Sequence, residues 1–239
     1  MLLPSNVRSQ LKLRYPQWNT LHGVDVLTDV KRLLPSFSAE IIFDVGANVG
    51  QSAEVFQYHF PQATIWCFEP FPDTFKTLKE NCSKWQKVVC EKVALGATAK
   101  QVYVCEGRSS AENTVTVTPE GDATQQVAMT TVDEFCRRHD IETINFLKVD
   151  TEGHDLEVLK GASSMLQQQK IDFVELEAGM NPENDYHVPF AELTLFLESL
   201  GYRLFGIYDQ MHEWKEPKPV LRRSNPVFIS PKLINTYAI

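Results

Sequence analysis

Four ionisable side chains crowd one short stretch of this chain: Asp150, Glu152, His154 and Asp155 follow the run FLKV at 146–149 and precede an amphipathic segment. Carboxylates and an imidazole at that spacing can hold a polar molecule, and histidine is the side chain whose proton exchange falls nearest neutrality. His154 is thus the one member of the four suited to proton transfer. Plainer roles stay open: Asp155 can cap the following helix, Glu152 can be a solvated turn residue, and His154 can bond a neighbouring backbone group.

A second constellation lies upstream, where the apolar run Ile41–Ile42–Phe43 ends in DVGANVG at 44–50. A buried strand that ends in an acid and opens into a glycine turn is the usual entrance to a nucleotide-type cofactor site. Gly46 and Gly50 let backbone approach a ligand, and the helix that starts there offers unpaired N–H groups. Glu69 ends the next strand, where an acid meets ribose hydroxyls. The turn lacks the GxGxxG fingerprint, and Asp44 beside it repels a diphosphate but accepts from an amine. S-adenosylmethionine, with a ribose, an ammonium and a sulfonium, answers these acids better than a dinucleotide does.

The elements that must position these residues alternate. Strand signals fall at 41–45, 64–68, 87–93, 145–149, 172–176 and 203–207, and helical patterns at 51–59, 73–85, 132–139, 156–168 and 190–200. That order predicts βαβ units, a mainly parallel sheet and helices on both faces, with ligand-facing side chains just beyond the strand ends: Asp44, Glu69, Asp150 and Glu177. Thr131 and Glu134 have capping-box spacing. The 102–129 region interrupts the alternation and reads as a hairpin around the turn at 119–122, and 226–230 supplies a last strand. A helical stretch at 24–34 sits in a proline-bearing arm, so the division expected is an arm or lid over 1–38 and one catalytic-type domain over 39–239.

The chain has 239 residues and a formal charge of -8, enough for one sizeable core and unfavourable for a nucleic-acid surface. No apolar run is long enough for a membrane span, so no membrane partner and a cytoplasmic location are expected. The five cysteines are scattered without a CxxC pair, which argues for reduced thiols rather than disulfides or zinc.

DVGANVG at 44–50, CFEPFPDTFKTLKEN at 67–81, TTVDEF at 130–135, FLKVDTEGHDLEVLKGA at 146–162 and LESLGYRLFGIYD at 197–209 together resemble the FkbM family of S-adenosylmethionine-dependent methyltransferases. The resemblance spans 41–209, and its most specific element is the KxDxEGH-type loop. It implies a class I, Rossmann-like methyltransferase fold with a seven-stranded sheet, and methyl transfer to a hydroxyl oxygen, often on a sugar or natural-product scaffold. By position it places Asp44, Gly46, Ala47, Asn48 and Gly50 at the methionine part of the cofactor, Glu69 at the ribose with Pro70 beside it, Ala94 near adenine, and Asp150 close to the methyl end.

An alcohol needs its proton removed before it attacks a sulfonium methyl. The catalytic set read from the sequence is His154 as base, Glu152 orienting it or binding the acceptor, and Asp150. A divalent ion on Asp150, Glu152 and His154 ranks below metal-free catalysis, so no metal is expected. Glu177, His187, Tyr208 and Trp214 are the candidate acceptor contacts, the last two as aromatic faces in a loop beyond the 203–207 strand. Tyr15, Trp18 and His22 of the arm can close the acceptor pocket or cover the interface of a homo-oligomer. A noncatalytic protein that keeps the cofactor fold, and an NAD-dependent oxidoreductase, are the competing readings.

Overall fold

A computed structural model describes residues 22–105, 114–116, 118, 125–212, 214, 216 and 218–237. In chain order the elements are α1 (Val26–Leu33), β1 (Ile41–Val45), α2 (Gln51–His59), β2 (Thr64–Phe68), α3 (Pro72–Cys82), β3 (Val88–Glu91), β4 (Ala94–Leu95), β5 (Lys100–Cys105), β6 (Thr114–Thr116) and β7 (Gln125–Thr130). They continue with α4 (Val132–Arg138), β8 (Ile144–Val149), α5 (Asp155–Gly161), α6 (Ser163–Gln167), β9 (Ile171–Leu176), β10 (Ala178–Gly179), α7 (Phe190–Ser199), β11 (Arg203–Met211), β12 (Arg223–Ile229) and α8 (Pro231–Tyr237).

Strand alternation decides how the main sheet is covered. Phe43, Val45, Leu147, Val149 and Val174 face a core completed by Phe135, Val158, Leu159, Leu166 and Leu193 from α4 to α7. Ile42, Ile65, Phe146 and Phe173 face the opposite core with Leu27, Val30, Phe56, Leu78 and Leu233 from α1, α2, α3 and α8. Helices therefore cover both faces, as the alternation predicts. Five strands run parallel in the order β3-β2-β1-β8-β9, and β12 joins β9 antiparallel, carrying β10 and β11 as antiparallel partners. The sheet is mixed and has eight strands rather than the expected seven; the two-residue β10 is one of them.

Three local differences from the sequence reading have physical causes. The helix expected over 156–168 is two, α5 and α6, meeting at Ala162, and a Cβ on Gly161 would meet the carbonyl oxygen of Gly96 at 2.1 Å. The 87–93 run ends at Glu91, and Ala94–Leu95 joins a second, four-stranded sheet with β5, β6 and β7. In that sheet β5 pairs antiparallel with both β6 and β7, so among the described residues the strands on either side of 119–122 are not hairpin partners, and the turn itself lies outside the described residues. The Thr131 hydroxyl caps α4 by accepting from the Glu134 N–H at 3.0 Å, but the Glu134 carboxylate turns to Arg137 and Arg138 instead of closing the box.

Of the arm, Tyr15 and Trp18 lie outside the described residues. Its helix α1 is capped by Asp25, which accepts from the Thr28 N–H at 2.7 Å, and it buries Leu27 and Val30 against the domain. Among the described residues, no helix is long and apolar enough to cross a membrane.

Candidate active site

The strand order reverses between β1 and β8, and beyond the carboxyl ends of these strands a cavity of about 630 Å³ opens. Its wall combines the turn at Gly46, Ala47 and Asn48, the β2 end at Glu69 and Pro70, the loop at Asp150, Thr151, Glu152 and His154, and Val24 to Leu27 of the arm. The second sheet adds Leu95, Val115 and Met129, which give one end an apolar lining.

Register explains the polar end. Ile42 pairs with Phe146, and Phe146 with Phe173, an apolar row across three strands; two residues on, the same-face row is Asp44, Lys148 and Glu175. All three side chains are buried. Lys148 Nζ reaches Asp150 Oδ2 at 2.8 Å, and Asn225 donates to Glu175 at 3.2 Å. Neither oxygen of Asp44 has a hydrogen-bond partner among the described residues.

The charges respond to each other. Burial pushes Asp44 up to about 6, against the opposing pull of Lys148, and pushes Glu175 up to about 7 against Lys148 and Asn225. Burial alone would lower the Lys148 value, but Asp150, Asp44 and Glu175 outweigh it and hold the ammonium well above its ordinary range. For Asp150, burial raises and Lys148 lowers; Lys148 prevails and the carboxyl stays below its usual value. Lys148 is the functional side chain that pattern reading missed. A lone lysine inside an otherwise apolar strand was the available signal, because a buried cation requires anionic partners.

Gly46 takes a left-handed φ of 78°, and a Cβ there would meet the carbonyl oxygen of Asp150 at 1.9 Å. Its lack of a side chain therefore joins the turn to the charged loop. Glu69 is buried and clamps the same turn, accepting from the Asn48 N–H at 2.9 Å and the Phe71 N–H at 3.1 Å. Pro70 and Ala94 line the cavity. Asp44 and Gly50 are not on the cavity wall: Asp44 lies beneath it, and a Cβ on Gly50 would press on Cys82 Sγ at 3.0 Å, so that glycine serves packing against α3.

In the charged loop, Asp155 is fully buried and structural. It accepts from the Thr151 hydroxyl at 2.8 Å and from the Glu177 N–H at 3.1 Å, which ties the loop to the end of β9. Burial lifts it to about 7, against those two hydrogen bonds. His154 is exposed at the cavity mouth, at the N-cap of α5. Glu152 adopts φ 53° and leans toward His187, with its Oε2 at 3.8 Å from Nε2; Tyr186 also bonds it. Burial raises the Glu152 carboxyl, with Glu177 and Asp150 adding to the rise.

The acceptor candidates divide. Glu177 is buried between Arg223 and His187, whose Nε2 lies 2.9 Å from Glu177 Oε2. Glu177 and Arg223 line the cavity, while His187 stands behind them. Two expectations are corrected. Tyr208 belongs to β11 rather than a loop, because the strand continues to Met211; it lines the cavity, and its hydroxyl donates to Asp29 at 3.0 Å. Trp214 is not among the residues that line the cavity: its indole donates to the Val220 carbonyl at 2.8 Å and its ring lies under Lys218.

A doubly wound sheet with an acid-bearing glycine turn at its switch point defines a class I, Rossmann-like methyltransferase. The chain belongs to the FkbM methyltransferase family, whose domain profile, described as "Methyltransferase FkbM domain", matches residues 44–204. Its cofactor is S-adenosylmethionine, and the cavity offers both a polar side, at the 46–48 turn and Glu69, and an apolar wall at Ala94 and Leu95, as a molecule with charged and nucleoside parts requires. The hexuronic acid methyltransferase AglP of Haloferax volcanii is 33% identical over 159 residues, which are 65% of this chain and 64% of that protein. Methyltransferase 1 of Beauveria bassiana is 26% identical over 210 residues, covering 74% and 76% of the two chains. Among solved structures, the METTL16 methyltransferase domain superposes with a TM-score of 0.49 at 12% identity, covering 96% of this chain and 70% of that one.

Proposed function

We propose that this protein transfers the methyl group of S-adenosylmethionine to a hydroxyl oxygen of a sugar or sugar-bearing small molecule. The observation that carries the reading is the single cavity wall on which the turn at 46–48 and Glu69 face the charged residues Asp150, Glu152 and His154. The relative named as a hexuronic acid methyltransferase supports a sugar acceptor.

S-adenosylmethionine supplies an electrophilic methyl on a sulfonium. The chain's contribution is to hold an acceptor oxygen in line with it and to take the proton that the oxygen sheds. In this reading Gly46, Ala47 and Asn48 line the methionine side, Asp44 and Gly50 hold that turn from beneath, and Glu69 accepts from the ribose hydroxyls. Pro70 and Ala94 complete the nucleoside wall. Asp150, held by Lys148, stands at the methyl end. His154 takes the proton, Glu152 and Glu177 hold the acceptor with His187 supporting them from behind, and the Tyr208 ring on the cavity wall is a further acceptor contact.

Calorimetry with S-adenosylmethionine, S-adenosylhomocysteine and NAD tests the donor half. Both sulfur compounds bind and NAD does not; failure of both to bind defeats the proposal. His154→Ala and Glu152→Gln retain donor affinity while turnover falls, and unchanged turnover in both would remove them from the catalytic set.

A further inference from the structure

Three side chains that the methyl-transfer reading sets around the acceptor also have the geometry of a cation site. One oxygen each of Glu152 and Glu177 and one ring nitrogen of His187 all lie within 4.8 Å of one another. We propose that these three residues hold a divalent cation of the Mn²⁺ or Mg²⁺ class, which binds the acceptor's hydroxyl oxygens beside the donor. The proposal rests on the methyl-transfer reading for its acceptor, but the cation site itself does not.

The distances suit such an ion. With metal–ligand bonds of ~2.1 Å, neighbouring octahedral ligands stand ~3.0 Å apart. Glu177 Oε2 and His187 Nε2 are separated by 2.9 Å, and Glu152 Oε2 is 3.8 Å from the same nitrogen. Two carboxylates give the oxygen ligands that suit Mn²⁺ and Mg²⁺, one imidazole is a ligand that Mn²⁺ also accepts, and the absence of thiolate argues against soft ions such as Cu⁺.

The surroundings orient each ligand. Arg223 holds Oε1 of Glu177, which turns Oε2 toward His187. Asn184 holds Nδ1 of the His187 ring, with its Oδ1 at 3.1 Å and its Nδ2 at 2.9 Å, so Nε2 is directed at the two carboxylates. Glu152 carries a left-handed φ of 53°, and a Cβ on the adjacent Gly153 would meet the carbonyl oxygen of Tyr186 at 2.4 Å. This close backbone contact presses the charged loop onto the loop that carries His187, and a non-glycine residue in that conformation persists where its surroundings enforce it.

Charge points the same way. The cavity wall presents seven carboxylate side chains, Glu152 and Glu177 among them, against the permanent cations Lys148 and Arg223. Lys148 is engaged by Asp150 and Arg223 by Glu177. A cation bound at this trio lowers the pKa of an acceptor hydroxyl it coordinates, so that the proton leaves to His154 or water while the oxygen bonds to the methyl and the carbon–sulfur bond breaks.

The test is a titration of EDTA-treated full-length protein with Mn²⁺, followed by calorimetry and by the paramagnetic resonance of free Mn²⁺. One equivalent binds saturably, Glu152→Gln and His187→Gln each weaken binding at least tenfold, and Glu157→Gln on the exposed face of α5 does not. Circular dichroism and Tm check that the variants are folded. Absence of saturable binding at millimolar Mn²⁺, or equal binding in wild type and both ligand variants, overturns the inference. S-adenosylhomocysteine calorimetry in EDTA separates the two readings: donor binding without Mn²⁺ binding ends the cation site alone, and Mn²⁺ binding without donor binding ends the methyl-transfer reading alone.

Discussion

Lys148→Met removes the ammonium set among Asp44, Asp150 and Glu175 while keeping an unbranched apolar stem of similar volume. Taking one partner from a buried ion pair costs about 3–5 kcal/mol, because the remaining charge is left in low dielectric. Here that cost depends on pH. Asp44 titrates near 6 and Glu175 near 7, both above ordinary carboxylate values, and Lys148 is what keeps them from rising further. A carboxyl with a raised pKa in the fold contributes stability that is complete below its unfolded value near 4 and is lost as pH climbs through the folded value. Without Lys148 both folded values move up, so the variant's stability declines over a wider range, by up to about 1.4 kcal/mol per pH unit for each additional proton retained by the fold. We expect a loss of about 3–5 kcal/mol near pH 8 that shrinks to about 1 kcal/mol near pH 5, measured by urea unfolding under circular dichroism. A loss of equal size at both pH values would show that Lys148 acts through packing alone and would refute the electrostatic reasoning.

Other perturbations test separate parts of the account. Gly46→Ala drives a Cβ into the Asp150 carbonyl at a left-handed φ, so S-adenosylhomocysteine affinity falls at least tenfold in calorimetry; wild-type affinity would show that the turn and loop can part freely. Tyr208→Phe removes the hydrogen bond to Asp29 and lowers stability by about 1 kcal/mol in urea unfolding while methyl transfer persists. Trp214→Ala, away from the cavity wall, leaves KM for the acceptor unchanged; a tenfold rise in KM would return it to the acceptor site.

The parts of the fold that were legible in sequence are those in which one period governs a segment. Ile41–Val45, Thr64–Phe68 and Gln51–His59 form the elements their patterns predict. Boundaries fail where a distant contact decides: Gly161 must fit against the Gly96 carbonyl, which no local pattern reveals, and β11 runs through Tyr208 because β12 pairs with it as far as Met211. At the site, the acids at strand ends were readable because a parallel sheet gathers them at one edge. Which acids meet which partners was not, since Asp155 turns inward to β9 and Glu152 turns to His187, a residue 35 positions away in the chain. The role of Lys148 is not legible in sequence because it depends on strand register, which places it between Asp44 and Glu175.

The central claim is transfer of a methyl group to a hydroxyl oxygen of a sugar-bearing acceptor. Incubating the full chain with S-adenosylmethionine carrying a ¹³C-labelled methyl, divalent cation and a panel of sugars and glycosides, then recording carbon–proton correlation spectra, reads the product bond directly. The account predicts an ether O–¹³CH₃ signal correlated to a ring or side-chain carbinol, growing with S-adenosylhomocysteine. Label appearing instead as a carboxylate methyl ester or an N-methyl group, or no transfer to any member of the panel while the donor binds, would contradict it.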